Sequence, residues 1–233
     1  AGDGGCDPLM RLLLSVCAVL GLAFSAGARA PEPVADAVIL SDGLPRLLSD
    51  YHFFRDASGW QPSDRVTPYR LNMPLFSDYA EKYRFLYVPE GEQAKAGGDG
   101  LLDLPVGSAL IKSFGYEMDG KVRLLETRVL LHRADGWLAL PYVWDEAQTE
   151  AVLKVAGARI PVTFTDPSGK QRSIDYGVPN KNQCKECHAL SGEVTPIGPK
   201  ARNLTRDGRG AISMSIARIV IISMARRATP ACS

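Results

Sequence analysis

The chain has 233 residues, 45% of them hydrophobic and 23% charged, with a formal net charge of +1. Those proportions describe an ordinary globular protein, one larger domain with a smaller part attached. The near-neutral balance excludes an electrostatic case for nucleic acid as a partner.

In chain order, Met10-Arg11 precedes an apolar run over 12–24 and small residues over 25–30. A positive start, a short apolar core and an Ala-x-Ala end predict a secretory signal peptide over 1–28, with the true start at Ala1 or Met10. The run is too short for a comfortable bilayer span, so the mature chain is expected to carry no transmembrane segment. Cleavage removes Cys6 and Cys17 and leaves Cys184, Cys187 and Cys232, too few for a disulfide framework.

Residues 29–43 are rich in Pro and Ala and read as a linker, and a short helix is expected from Leu44-Pro45. A β-rich domain is expected over 44–178. Tyr83, Phe85 and Tyr87 alternate with Arg84, Leu86 and Val88, the period of a strand. Further strands are expected at 101–104, 109–116, 121–132, 137–144, 151–155, 159–164 and 171–176, separated by turns such as Asp119-Gly120 and Ala134-Asp135-Gly136. Short strands at regular spacing predict an antiparallel sandwich or barrel.

At Pro179 the character changes. Cys184-Lys185-Glu186-Cys187-His188 is a Cys-x-x-Cys-His pattern, the spacing by which a c-type haem is attached. Two thiols about one helical turn apart can each form a thioether to a vinyl group on one haem edge, with His188 as the proximal iron ligand. Asn180 and Asn182 are suitable N-caps for the helix this needs. A zinc site would need a second Cys/His pair and a thioredoxin-like site a βαβ pattern, and the sequence has neither. His52 and His132 read as surface or packed residues. No phosphate-cradling loop or nucleophile motif is present, and no catalytic residue is assigned. Export and haem attachment together predict a periplasmic protein.

The segment from Cys184 to Gly198-Pro199 resembles the haem loop of class I cytochromes c. The resemblance implies that Pro199 accepts a hydrogen bond from His188 Nδ1 and that Leu204 packs on the haem. A longer stretch, about 45–206, is similar to an uncharacterised family of bacterial periplasmic di-haem c-type cytochromes. It includes Leu75-Phe76-Ser77-Asp78-Tyr79-Ala80, His132-Arg133-Ala134-Asp135-Gly136-Trp137, Tyr142-Val143-Trp144 and Pro196-Ile197-Gly198-Pro199-Lys200-Ala201-Arg202-Asn203-Leu204. Members carry a second haem motif, and this sequence has one.

The expected fold is therefore a mainly β N-terminal domain followed by an incomplete α-helical cytochrome c-like segment over 179–206. Residues 207–233 read as an atypical tail, out of frame or truncated, in which Met214 or Met224 is the candidate sixth ligand. The expected function is electron transfer through one covalent haem c to redox partner proteins of the periplasm. The alternative is a haem-dependent oxidoreductase, or a subunit of one, with an open sixth iron site.

Overall fold

In the computed structural model of the chain, the described residues are 32–97 and 100–204, with the backbone alone for 219–222. The expected signal peptide, Met214 and Met224 lie outside them.

The elements in chain order are α1 (Asp36–Leu40), a 3-10 turn (Leu48–Tyr51), β1 (Val66–Pro68), β2 (Glu81–Tyr87), β3 (Ala94–Gly97), β4 (Leu102–Asp103) and β5 (Ala109–Met118). They continue with β6 (Lys121–Arg133), β7 (Gly136–Trp144), β8 (Ala151–Leu153), β9 (Ala158–Thr165), β10 (Gln171–Val178) and α2 (Lys181–His188). The last are β11 (Ala189–Leu190), β12 (Glu193–Val194), a 3-10 turn (Ala201–Asn203) and β13 (Ile219–Ile222).

Six strands form one sheet in the order β1-β2-β5-β6-β7-β8, antiparallel throughout and open at β1 and β8. Strands β9 and β10 form a separate ribbon, β11 and β12 a small hairpin, and β3 lies between β4 and the parallel β13. Turn chemistry sets the register. Asp119 and Gly120 both have positive φ, 51° and 74°, as a two-residue turn matched to strand twist requires.

Alternation along β2, β5, β6 and β7 sends apolar side chains to both faces of the sheet. Phe85, Tyr87, Ile111, Val129, Leu131 and Tyr142 form one cluster, covered by Val34, Ile39, Leu48, Tyr51 and Phe53. The stretch read as a linker thus supplies core residues. On this face Tyr142 donates to the Pro45 carbonyl at 2.9 Å, and its hydroxyl lies 2.9 Å from that of Tyr51. The opposite face carries Leu86, Leu110, Leu130 and Ala139, which pack with Cys184, Ala201 and Leu204. Beside them Phe114, Tyr116 and Leu125 pack against Val162, Phe164, Tyr176 and Val178 of the β9–β10 ribbon.

A bulge lies between these two clusters. Phe114 pairs with Glu126 and Gly115 with Leu124, so Leu125 is the extra residue and joins Glu126 on the second face. Glu126 is fully buried. It accepts the Tyr176 hydroxyl at 2.5 Å and Arg128 Nε at 2.9 Å, and Arg128 Nη2 adds a third bond.

The architecture differs from the expected one. The sheet is open and closes into no barrel, its faces are covered largely by irregular chain and a two-stranded ribbon, and among the described residues no cytochrome c-like helical segment follows it. The described residues hold only two short α-helices, α1 and α2. The reason lies just past His188. Gly192, Pro196, Gly198 and Pro199 punctuate that stretch, and it folds as a hairpin and an extended return rather than as helix. Among the described residues no helix is long and apolar enough to cross a membrane.

Removing one member of a buried, hydrogen-bonded charge pair leaves the other uncompensated. Glu126→Ala is expected to lower the unfolding free energy by about 3–5 kcal/mol in urea titrations. Tyr176→Phe, which deletes one donor, costs about 1–2 kcal/mol by the same measurement.

Candidate functional site

Helix α2 starts where the sequence places its cap. The Asn180 side chain accepts from the backbone N–H of Asn182 at 3.0 Å and of Gln183 at 2.9 Å, and Gln183 Oε1 accepts from Asn180 N–H at 2.9 Å. This reciprocal pair satisfies three of the donors a helix start leaves open. Lys181 N–H donates to the Val155 carbonyl at 3.0 Å, fastening the helix start to the turn before β9. That turn is crowded. Gly157 has φ +76°, and a Cβ there would stand 2.5 Å from the Val178 carbonyl oxygen.

The helix carries Cys184, Cys187 and, as its final residue, His188. Cys187 follows Cys184 by three positions, about one turn. Cys184 is buried among Leu86, Leu110, Leu130, Ala201 and Leu204. The chain then reverses through Ser191 and Gly192, with φ of 54° and 87°. The reversal brings Thr195 back to His188. Thr195 N–H donates to the His188 carbonyl at 2.6 Å, and the Thr195 carbonyl stands 3.3 Å from His188 Nδ1. A carbonyl can only accept, so Nδ1 carries the proton and Nε2 of the neutral ring keeps its lone pair.

Burial lowers the pKa of His188 from its ordinary value, Thr195 opposes this, and the positive charges of Lys112 and Arg128 lower it further. The ring is therefore neutral at pH 7, as a metal-binding imidazole must be.

His188 and Cys184 line a cavity of about 580 Å³ whose walls include Leu130, Ala139, Val178 and the guanidinium-bearing Arg128 and Arg159. That volume falls within the span of small-molecule and cofactor pockets, roughly 300–1,000 Å³. The site offers a buried thiol able to add to an alkene, a neutral imidazole with a free lone pair, and a partly apolar cavity beside both. Among the described residues no group of three or more His, Cys, Asp and Glu side chains is placed to hold a bare metal ion.

The remaining predicted residues divide. Leu204 is buried in the cluster that holds Cys184. Pro199 is buried, but the acceptor facing His188 Nδ1 is the Thr195 carbonyl rather than that of Pro199. His52 Nδ1 lies 3.2 Å from the Pro33 carbonyl and its Nε2 lies 3.4 Å from Glu32. His132 Nδ1 lies 2.8 Å from the Leu104 carbonyl, and its ring stacks on Trp137 at 4.4 Å. Neither lines the cavity. Sequence reading missed Thr195, whose contribution is a backbone carbonyl that any residue could supply. It also missed Arg128, although an Arg amid the apolar alternation of 121–132 marks a charge on a buried face.

Comparison with known proteins found no matching family model, no matching curated protein and no matching solved structure.

Asn180→Ala is expected to cost about 1 kcal/mol and to speed amide exchange of residues 182–184 more than that of β5 or β6, read by hydrogen exchange. The pH dependence has a definite sign. Since the folded-state pKa of His188 is lowered, the unfolded chain binds more protons below about pH 6.5. His188 therefore makes stability fall as pH drops from about 6.5 toward its folded pKa, with no effect above. Urea unfolding of wild type and His188→Gln at pH 5 and pH 7.5 checks this, the variant showing the smaller loss.

Proposed function

We propose that this chain is a periplasmic c-type cytochrome, an electron carrier with one haem joined covalently through Cys184 and Cys187 and ligated by His188. The observation that carries the reading is the juxtaposition at the end of α2. A buried thiol and a neutral imidazole with its Nδ1 proton committed border one cavity of cofactor size. The sequence resemblance to periplasmic di-haem c-type cytochromes points the same way.

Each residue has a defined task in this reading. Cys184 and Cys187 hold the haem edge, each S–H adding across a vinyl group so that no atom leaves. His188 presents Nε2 to the iron. The Thr195 carbonyl fixes the ring plane and raises the basicity of Nε2, as acceptors behind ligating imidazoles do. Leu130, Ala139 and Val178 keep water from one side of the cavity. The haem would supply a one-electron ferric/ferrous couple.

The test is periplasmic expression of the full chain in a host that attaches c-type haem. Haem is expected to stay with the polypeptide after denaturation, and to be lost from the Cys184→Ser/Cys187→Ser double variant. Haem that separates completely from wild type on denaturation would sink the proposal. A low-spin reduced spectrum indifferent to carbon monoxide fits the carrier. A high-spin spectrum that shifts with carbon monoxide favours the oxidoreductase with an open sixth position.

A further inference from the structure

Three cations stand in a row across the face of the sheet that α2 covers. Arg84 of β2 is the direct cross-strand partner of Lys112 on β5, and Lys112 is the partner of Arg128 on β6. Lys82 lies one pleat further along β2, opposite Phe114. Like charges directly opposite one another in a sheet are destabilising, and this row is largely removed from water. Arg84 is 8% exposed, and Lys112 and Arg128 are half-buried.

The neutralisation the chain supplies is incomplete. Among the described residues Glu126 is the one carboxylate in ion-pair contact with the row, and it is bound to Arg128. The Phe114 ring lies 4.5 Å from the Lys112 ammonium and 4.3 Å from the Arg128 guanidinium, which softens the charge without cancelling it. Arg84 donates to the Lys82 carbonyl at 3.3 Å. Two positive charges remain unbalanced. Burial, followed by Arg84, Arg128 and Lys82, lowers the pKa of Lys112 to about 8, with Glu126 acting weakly the other way.

The row ends at the cavity. Arg128 lines it, and both Lys112 and Arg128 act electrostatically on His188. Arg128 uses Nε and Nη2 on Glu126, and its Nη1, with two donors, has no hydrogen-bond acceptor among the described residues. Arg159 brings a second guanidinium to the same cavity from β9, and Glu186 is the carboxylate among its lining residues.

The geometry points to an oxyanion site: Arg128, at the cavity end of the row and backed by Lys112 and Arg84, receives a carboxylate, or a like anion, of a molecule held in the cavity beside His188. A fixed cation at the wall of a cleft, with two more behind it in the sheet, focuses the field on an arriving anion and costs no reorganisation when the anion binds. The anion has two possible sources, a haem's own carboxylates or a freely exchanging oxyanion. The site itself stands on the cation row and does not depend on covalent attachment.

The test uses the full chain produced without haem, with the Lys112 ammonium followed by NMR and identified by its absence in Lys112→Met. That variant removes a repelled charge and is expected to fold with undiminished stability, checked by urea unfolding. The probes are succinate, inorganic phosphate, haemin and haemin dimethyl ester, whose carboxylates are blocked. An oxyanion bound at Arg128 raises the titration midpoint of its neighbour Lys112 from about 8. A rise of roughly one pH unit corresponds to about tenfold tighter binding to the charged form. Haemin acting where its ester does not supports the site and assigns the anion to the tetrapyrrole. Succinate or phosphate acting supports it and assigns a free oxyanion. Four inert probes, or an ester as effective as haemin while succinate and phosphate are inert, would overturn it. A Lys112 that already titrates at its ordinary value without any probe would do so too. Phosphate and succinate need no thioether, so a failure of haem attachment leaves this result readable. Covalent haem with an unmoved Lys112 sinks the oxyanion site alone.

Discussion

The central strands of the sheet are apolar on both faces, and the rest of the structure answers that constraint. In β5 and β6 the buried positions run almost without break, so neither face can be left to water. An open sheet of this kind needs two covers, one largely irregular chain and the other built from α2, the chain after it and the β9–β10 ribbon. Residues 34–54 supply Ile39, Leu48, Tyr51 and Phe53 to one face. Cys184, Ala201 and Leu204 on one side, and the β9–β10 ribbon on the other, supply the second cover. Helix α2 is therefore part of the fold's own core, and the thiol it buries lies against the sheet.

That position explains why the site is electrostatically unusual. The bulge at Leu125 turns both it and Glu126 onto the covered face, and a fully buried carboxylate there gathers Arg128 and Tyr176 around it. Arg84 and Lys112 share the same face through register alone. The result is a band of charge between two apolar clusters, with His188 at its edge. The low pKa of His188 follows from burial first and from those cations after it. The imidazole is kept neutral by its surroundings, and its orientation comes from a backbone carbonyl on the hairpin that follows.

Much of this was legible locally. Period-two alternation located β2, β5, β6, β7, β9 and β10 to within a residue or two, and Asp119-Gly120 marked its turn. Asn180 was readable as a cap because capping depends on neighbours two and three positions away. The Cys-x-x-Cys-His spacing is equally local, and the haem attachment it suggests is the proposal made above. The cytochrome c-like helical continuation was not borne out, because resemblance supplied it where Gly192, Pro196, Gly198 and Pro199 argued for turns and extended chain.

The sequence by itself determined where the strands and turns lie, where α2 starts, and which side chains sit at its end. Those features depend on interactions a few residues apart. Only the tertiary structure decided that α2 packs on the sheet rather than in a domain of its own. It also decided that Thr195 faces His188 and that Arg84, Lys112 and Arg128 form one row. These are matters of strand register and of which segment covers which face. They arise from the shared burial of residues as distant as Leu86 and Leu204, and no local pattern encodes such a pairing.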